Sequence, residues 1–526
     1  MKKNTFPSSI FVLSVLLSAF PILTNNFTPT VDGPAHLYNS QLLVQLLAHQ
    51  NEFIGSHFAL TPGLMPNWIG HFFLSTMMLI LPAFFAEKLL LLMYLFGFAY
   101  GWRFLICAIN KSNMYLTFFG LPFIYSFLFL MGFYNYCLSF ILAFYLIGLS
   151  LSLFKQRTVK RVQQLMLLIL PLALFFSHVF VFGITMFVLT TILVFYTWQF
   201  KMRRGQGTLD IFKFILPLFL GMFLSSSLFA LHFFERPTTL DYTYIDREAL
   251  TQWLWESRPL LVYNWRIEGP FLSYFTPTIL AMFFIAFGYW IYKKQSNVSG
   301  SKRKTQSNTV GQMLVFLSIL AVLLLLYFYL PDEDQLAGFV SVRLSMMILL
   351  TTIAFLAYFE VPKWSKTCSG IIVLYIHFGV LMHYSDELKR LGDCANEIHS
   401  NAKYIEENSS VLAINLTDDW LQAHFSNYLG VDKPMAILNN YEADMGYFPL
   451  KWNDQDLPQF QLANRSQHDY PEISWRENTV NEKTNINYVF VFGTKGKLSK
   501  ETQGSLSNHF FLVNSTANTK LYRYME

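Results

Sequence analysis

Long apolar segments recur from the N-terminus to residue 385, and they restrict the fold more than any other feature of the sequence. Only 13% of the residues are charged and the mean hydropathy is +0.36, whereas a soluble protein averages about 25% charged residues. A helix needs about 20 apolar residues to cross the bilayer core. The sequence therefore predicts an α-helical protein that crosses the membrane many times.

Basic clusters between the apolar segments predict the orientation, because Lys and Arg are enriched in cytoplasmic loops. The clusters at 155–161, 201–204 and 293–304 fall on one side if the segment 67–86 is a surface or half-inserted helix rather than a span. The N-terminus is then cytoplasmic and about eleven spans are predicted. They lie at 9–24, 87–109, 114–131, 137–154, 163–178, 180–200, 209–233, 271–292, 311–330, 340–358 and 369–385.

The composition changes after residue 385. Residues 386–526 are polar and contain five short β-rich runs, with helical stretches at 394–406 and 418–429, which predicts a small α/β domain. The expected organisation is a transmembrane domain at 1–385, with outer loops at 25–86 and 234–269, and an extracytoplasmic domain at 386–526. The near-absence of outer cysteines suits a bacterial inner (plasma) membrane, with the last domain in the periplasm or outside the cell.

The sharpest candidate site lies in the first outer loop, in the segment 30–38 (TVDGPAHLY). Pro34 has a fixed φ that suits the first turn of a helix, which places Asp32 at the helix mouth and His36 one turn further on. The apolar stripe that follows predicts a helix lying on the membrane surface. A helix cap is the simpler role for Asp32. The alternative is a general base, which must lie within hydrogen-bond reach of the proton it removes.

Further polar residues are expected at the same outer edge of the membrane. Ionisable groups at membrane depth are functional candidates, and the arginine fork suits phosphate oxygens. The simpler roles are an aromatic belt at the interface and snorkelling of long side chains. The candidate substrate-binding residues are Tyr38, Tyr134, Asn135, His178, Arg258, Arg266 and Arg343.

Several motifs are missing from the sequence. It has no P-loop, no GxGxxG opening a helix after a strand, no HExxH and no Cys/His metal cluster. The first outer loop has no DxD, so neither a metal nor a cofactor is predicted. No nucleic-acid signature is present. Because the cytoplasmic loops are too short for a nucleotide-binding domain, a lipid-borne donor substrate met from the outer side is expected.

This layout resembles the GT-C superfamily of multi-span membrane glycosyltransferases, which use polyprenyl-phosphate-linked sugars. The resemblance covers residues 1–385 and is to the O-mannosyltransferase or aminoarabinose transferase type. It rests on Asp32 in the first outer loop, on two juxtamembrane helices before the second span and on a C-terminal domain outside. The lone Asp-Gly-Pro-x-His motif departs from the Asp-Glu pair of the mannosyltransferases, which leaves the subfamily, the acceptor and the need for a metal open.

The resemblance implies an inverting, metal-independent transfer in which Asp32 is the catalytic base. Arg343, with Arg258 or Arg266, would hold the phosphate, and His36 would orient Asp32 or bind a sugar hydroxyl. The implied partners are a polyprenyl-phosphate-linked sugar, an acceptor that is a lipid, a glycan or a protein, and membrane lipids.

Two other classes of function compete with this hypothesis. A transporter or lipid flippase would need polar groups at mid-membrane, whereas the polar residues here collect at the predicted outer edge. A sensor or scaffold would use the C-terminal domain as a binding module. In that domain the aromatic-rich segment 441–452 offers faces for a carbohydrate, although core aromatics are the simpler interpretation.

Overall fold

The structure is a computed structural model that describes residues 6–63, 65–155, 159–203, 208–234, 241–296, 303–333, 338–453 and 486–525. Part of the predicted outer loop 234–269, residues 235–240, lies outside the described residues, as do residues 297–302 of the predicted inner loop. Helix accounts for 71% of the structure. The predicted class, mostly helical with a small C-terminal sheet, is confirmed.

Eighteen α-helices are present in the described ranges. They are α1 (Phe6–Ser18), α2 (Phe20–Thr24), α3 (Gly33–Leu47), α4 (Glu52–His57), α5 (Ile69–Met78), α6 (Ala83–Asn110), α7 (Phe127–Leu130), α8 (Tyr134–Lys155), α9 (Arg161–Ser177), α10 (Val179–Arg203), α11 (Thr208–Phe234), α12 (Arg247–Trp255), α13 (Trp265–Leu272), α14 (Phe275–Ser296), α15 (Arg303–Tyr329), α16 (Val340–Leu356), α17 (Lys363–Ser400) and α18 (Lys500–His509). A 3₁₀ helix, Lys111–Tyr125, joins α6 to α7.

Four helical segments of the described chain are long and apolar enough to cross a membrane, judged by length and composition: Ala83–Leu130, Tyr134–Phe154, Trp265–Lys293 and Lys363–Tyr404. Seven shorter apolar helices accompany them. Each predicted span falls largely within a helix, and the chain is a multi-pass membrane protein. The total of eleven spans stays a prediction. The segment 67–86 contains α5, whose 10 residues are half the length that a bilayer needs.

One helix differs from the sequence prediction. The last predicted span, 369–385, and the helical stretch that begins at 394 form a single helix, α17. The residues between them are mostly strong helix formers such as Glu387, Leu388 and Lys389. Helix propensity therefore continues where the apolar composition ends.

By packing, the chain divides into two compact units. The first unit is Met1–Phe20, Met93–Leu130 and Asn135–Asp386, and the second is Pro21–Leu92, Met131–Tyr134 and Glu387–Glu526. The predicted outer loop 25–86 thus packs with the C-terminal region. The division of the chain at residue 385 into a membrane domain and an extracytoplasmic domain stays a prediction.

The first unit is helical, and its helices are joined by aromatic packing and by polar side chains that find partners inside it. The indole of Trp102 donates to the carbonyl of Leu116 at 3.1 Å and packs against Phe144. The hydroxyl of Ser18 lies 2.8 Å from Nε2 of His377, and Ser18 accepts a hydrogen bond at its carbonyl from Tyr125. Such interhelical hydrogen bonds are typical of helices packed within a membrane.

The second unit contains two sheets built from β1 (Phe58–Leu60), β2 (Ser409–Asn415), β3 (Met435–Ile437), β4 (Leu450–Trp452), β5 (Tyr488–Phe492), β6 (Phe510–Ser515) and β7 (Thr519–Tyr524). Five strands have the order β3-β2-β5-β7-β6, and β1 pairs with β4. β2 is parallel to β3 and β5, whereas β7 and β6 are antiparallel. Residues 409–414 of β2 are all buried, as expected for a parallel strand covered on both faces.

Within the second unit, α3 is fastened to the sheet by paired polar contacts. The hydroxyl of Tyr38 donates to the carbonyl of Met435 and accepts from the amide of Ile437, at 2.8 and 2.9 Å. Asn39 and Asn440 exchange two amide hydrogen bonds of 2.9 and 2.8 Å. These bonds hold the first helix of the predicted outer loop against the C-terminal sheet.

Candidate functional site

The candidate site begins at Asp32, the residue that precedes α3. The helix begins at Gly33 with Pro34 in its first turn, as the sequence predicts. Asp32 occupies the cap position, yet its side chain accepts no hydrogen bond from the N–H groups of the helix. Thr30 supplies that contact instead, since its hydroxyl accepts from the amide of Gly33 at 3.0 Å. Helix capping therefore does not account for the carboxylate of Asp32.

A short segment, 131–134, fixes the backbone on which Asp32 lies. The amide of Asp32 donates to the carbonyl of Met131 at 3.0 Å. Gly132 has a φ of +85°, and a Cβ there would lie 2.7 Å from the amide nitrogen of Asp32 and 2.8 Å from that of Gly33. Only glycine satisfies both the backbone conformation and this close approach.

His424 and Tyr441 lie next to the carboxylate of Asp32. Nε2 of His424 is 3.6 Å from Oδ1 of Asp32, and the side chain of Asp32 is 15% exposed. The ring of Tyr441 stacks on the imidazole of His424 with centroids 4.2 Å apart. Burial, together with the nearby charge of His36, lowers the pKa of His424 to about 4, although Glu442 acts in the opposite direction. His424 is therefore neutral at pH 7.

His36, one turn into α3, is part of a buried cluster with two residues from distant parts of the chain. Nδ1 of His36 lies 2.6 Å from Oε1 of Glu442, and Nε2 of His71 lies 2.9 Å from Oε2. Nε2 of His36 is 2.9 Å from the carbonyl oxygen of Gly132. The ring of Phe448 contacts both imidazoles, with centroid distances of 5.8 and 5.6 Å.

The charges inside this cluster stabilise one another. Burial alone raises the pKa of Glu442, but the charges of and hydrogen bonds from His36 and His71 outweigh it and lower the pKa to about 2. For His36, burial lowers the pKa, and the carboxylates of Glu442 and Asp32 together with the Gly132 carbonyl reverse the direction and raise it. Burial, followed by the carboxylates of Asp32 and Glu442, raises the pKa of Tyr441 well above its ordinary value.

Of the residues predicted from sequence, Asp32, His36 and Tyr134 come together in the second unit. The hydroxyl of Tyr134 lies 2.9 Å from that of Thr30, and its ring contacts His36. Tyr38 follows on the same helix, fully buried, with its hydroxyl bound twice to β3. The contacts of Tyr38 are therefore those of a packing residue.

Two other predicted residues meet in the first unit. A guanidinium nitrogen of Arg343, near the start of α16, lies 3.4 Å from Nε2 of His178, which connects α9 to α10. Because the guanidinium only donates hydrogen bonds, this imidazole nitrogen accepts. Both side chains pack against the ring of Tyr136. The guanidinium carbon of Arg343 lies 5.6 Å from the centroid of that ring, and the centroid of the His178 ring lies 5.2 Å from it. Nearby, the hydroxyl of Ser177 donates to the backbone carbonyl of Asn135 at 2.8 Å.

The remaining two predicted arginines have different surroundings in the first unit. Arg258 donates to the carbonyl of Leu261 at 2.9 Å and its guanidinium lies over the ring of Phe127, at 4.3 Å. Arg266 is exposed in the first turn of α13. Of the three predicted arginines, Arg343 is the one that pairs with a predicted histidine, His178.

Sequence reasoning missed four members of the site: His71, His424, Tyr441 and Glu442. The weak signals were a histidine inside the apolar segment 67–86 and a carboxylate inside the aromatic-rich segment 441–452. In that segment, Trp452 stacks on Phe58 with ring centroids 4.5 Å apart, between β4 and β1. This aromatic is therefore part of the packing rather than an open face for a carbohydrate.

No model of a known protein family matches the chain, and no curated protein matches it in sequence. Among solved structures, the crystal structure of ArnT from Cupriavidus metallidurans bound to undecaprenyl phosphate aligns with 99% of this chain and 98% of that chain. The two are 12% identical, with a TM-score of 0.41. The aminoarabinose transferase type named from the sequence layout is thus represented among the structures to which this chain is similar. At 12% identity no residue's role carries over, and the functional argument rests on the geometry of this chain.

Proposed function

We propose that this protein is an inverting membrane glycosyltransferase that moves a sugar from a polyprenyl-phosphate carrier to an acceptor hydroxyl at the outer face of the membrane. Asp32 is the general base. The proposal joins the sequence layout, which resembles GT-C enzymes, to the surroundings of Asp32 and Arg343. It requires neither a nucleotide nor a soluble donor.

The carboxylate of Asp32 is the observation that carries the proposal. It is held by a fixed backbone at the mouth of α3, it does not cap that helix, and its side chain is 15% exposed, so an acceptor has access to it. The neighbouring imidazole of His424 is neutral at pH 7, so it does not weaken the carboxylate as a base in the way that a cation at this distance would. A cap or a surface ion pair would need neither the fixed backbone nor the partial burial.

The surroundings of Arg343 support the proposed donor class. Its guanidinium supplies donors suited to phosphate oxygens. Val181 and Met347 lie three and four residues after His178 and Arg343, so helical spacing puts them near the same faces of α10 and α16. Both residues line an apolar crevice of the first unit, together with Trp102, Phe140, Phe144, Val188, Phe316 and Leu350. A phosphate-binding pair next to an apolar crevice matches a phosphate attached to an isoprenoid chain.

The proposed reaction is a single displacement. The acceptor oxygen forms a bond to the anomeric carbon while its proton passes to the carboxylate of Asp32. The bond between the anomeric carbon and the phosphate oxygen breaks, and its electron pair leaves with the polyprenyl phosphate. Because that phosphate departs already charged, the step needs no strong acid. Attack from the face opposite the leaving group inverts the anomeric centre.

A donor-consumption assay tests the proposal. Membrane vesicles containing the overproduced protein are incubated with radiolabelled polyprenyl-phosphate sugars, and released polyprenyl phosphate and glycosylated product are measured against vesicles without the protein. We expect protein-dependent release of polyprenyl phosphate with one sugar class. If labelled donor instead crosses the vesicle membrane intact, with no cleavage for any sugar tested, the protein is a transporter or flippase and the proposal is wrong.

A further inference from the structure

His36, His71 and Glu442 form the most concentrated group of metal-binding side chains in the part of the chain that the structure describes. They come from α3, from α5 and from a 3₁₀ turn at Tyr441–Asp444. One ligand atom from each lies within 4.8 Å of the others. The three residues are 4%, 1% and 0% exposed.

His36 and Glu442 bring two buried polar atoms close together. Their Nδ1 and Oε1 atoms are 2.6 Å apart, yet both atoms are buried and neither has a hydrogen-bond partner in the described structure. The other ring nitrogen of His36 faces the carbonyl of Gly132 and must carry a hydrogen to bond to it. Nδ1 of His36 and Oε1 of Glu442 are close enough that a cation must lie between them. A proton on His36 is one such cation, and a metal ion bound to both atoms is the other.

The surroundings are those of a metal-ligating histidine. Such histidines typically donate their second ring N–H to a backbone carbonyl or a carboxylate, which fixes the tautomer and the ring plane. His36 has this arrangement with Gly132. An apolar shell that excludes water also favours metal binding, and Phe448 packs on both imidazoles.

We propose that His36, His71 and Glu442 bind one divalent transition-metal ion of the zinc class. Two imidazole nitrogens and a carboxylate form a His₂Glu set, which is a known three-ligand combination for zinc and leaves a fourth position for water or substrate. Imidazole ligands favour zinc, copper, nickel or iron over magnesium and calcium, which prefer oxygen.

The proposed ion links α3, which follows Asp32, to the turn that carries Tyr441 and Glu442. His36 lies one turn beyond Asp32 on α3, and Glu442 follows Tyr441, whose ring stacks on His424. A metal bound to His36 and Glu442 thus fixes both sides of the Asp32–His424 contact. This inference stands apart from the reaction proposed above, because metal content can be measured without any activity.

Metal analysis of the purified full-length protein tests the site. The protein carries an affinity tag without histidine, is purified in detergent without chelator and is measured by mass spectrometry of its metals. We expect about one zinc ion per chain, and a loss of at least about tenfold in His71→Gln and Glu442→Gln. His399→Gln is the matched control, since His399 forms a 2.6 Å pair with Asp432 at the surface of the same unit. It should keep the full metal content.

A second measurement on the wild-type protein does not depend on how the variants fold. Protein stripped with a chelator is titrated with Co²⁺, and a visible absorption band that saturates at about one equivalent and disappears on adding Zn²⁺ supports the site. The proposal is overturned if the wild-type protein holds less than about a tenth of an equivalent of metal after incubation with Zn²⁺ and develops no Co²⁺ band. Equal metal content in wild type and both variants overturns the ligand assignment.

Discussion

Nε2 of His424 lies 3.6 Å from the carboxylate of Asp32, and the imidazole that approaches this carboxylate is neutral at pH 7. A permanent cation at position 424 would place a positive charge next to the carboxylate of Asp32. An opposite charge within about 4–6 Å favours the ionised carboxylate and weakens it as a base. We expect His424→Lys to lower the rate of glycosyl transfer by at least about tenfold more than His424→Gln does. Initial rates of donor consumption by both variants in vesicles check this. Equal losses would mean that the charge at position 424 does not act on Asp32.

Gly132 positions the backbone of Asp32, and replacing it should impair the site. In Gly132→Ala the new Cβ would contact the amide nitrogens of Asp32 and Gly33 in a backbone conformation with φ of +85°. Strain of this kind costs about 1–3 kcal/mol. We expect a lower apparent Tm and at least about a tenfold loss of kcat. Displacing a catalytic group by about 1 Å lowers the reaction rate by roughly tenfold or more.

Gly504→Ala is the control for the glycine substitution. Gly504 lies in the middle of α18, and a Cβ there meets open space. Alanine should raise helix stability there by about 1 kcal/mol or less and leave the transfer rate unchanged. If Gly132→Ala has the same apparent Tm and transfer rate as Gly504→Ala, the close approach of Gly132 to Asp32 does not affect activity.

Arg343 should govern the affinity for the donor lipid rather than the chemical step. Loss of charge-assisted hydrogen bonds to a phosphate costs about 1.5–3 kcal/mol. We therefore expect Arg343→Ala to raise KM for the polyprenyl-phosphate sugar by roughly 10–100-fold, with a smaller change in kcat. The control is Arg161→Ala, an exposed arginine at the start of α9 in the same unit. A KM unchanged in Arg343→Ala would exclude Arg343 from donor binding.

Glu442 should contribute more to stability than an exposed carboxylate in an ion pair of similar length. Its carboxylate is fully buried between two histidines, and removing one partner of a buried pair costs about 3–5 kcal/mol. We expect Glu442→Gln to lower the apparent Tm by roughly 5 °C or more. Glu406→Gln removes an exposed pair with Arg523, for which about 0–1 kcal/mol is typical. Thermal unfolding followed by tryptophan fluorescence in detergent compares the two, and equal shifts would argue against a buried charged cluster.

The sequence predicted those helices and strands whose formation depends on residues close together in the chain. Pro34 predicted the start of α3, which begins at Gly33. The β-rich runs at 411–415 and 488–492 lie in β2 and β5, which pair in parallel. The apolar segments predicted the positions of the long helices, because hydrophobic length is a property of a continuous stretch of chain.

The cluster at His36 could not be predicted in the same way. His36 and Glu442 are about 400 residues apart in sequence. Their contact depends on the packing of α3, in which Tyr38 bonds to β3 and Asn39 bonds to Asn440. A single sequence carries no periodic signal for such a contact. The lone histidine in the segment 67–86 was visible as an unusual residue, but its partner was not.

Transfer by Asp32→Asn tests the central claim most directly. Asparagine keeps the size and shape of the side chain but accepts no proton, so we expect donor consumption to fall by at least about a hundredfold. The apparent Tm and the binding of polyprenyl phosphate should stay close to wild type, which separates loss of the base from loss of the fold. Full activity in a folded Asp32→Asn protein would contradict the role of Asp32 and, with it, the proposed mechanism.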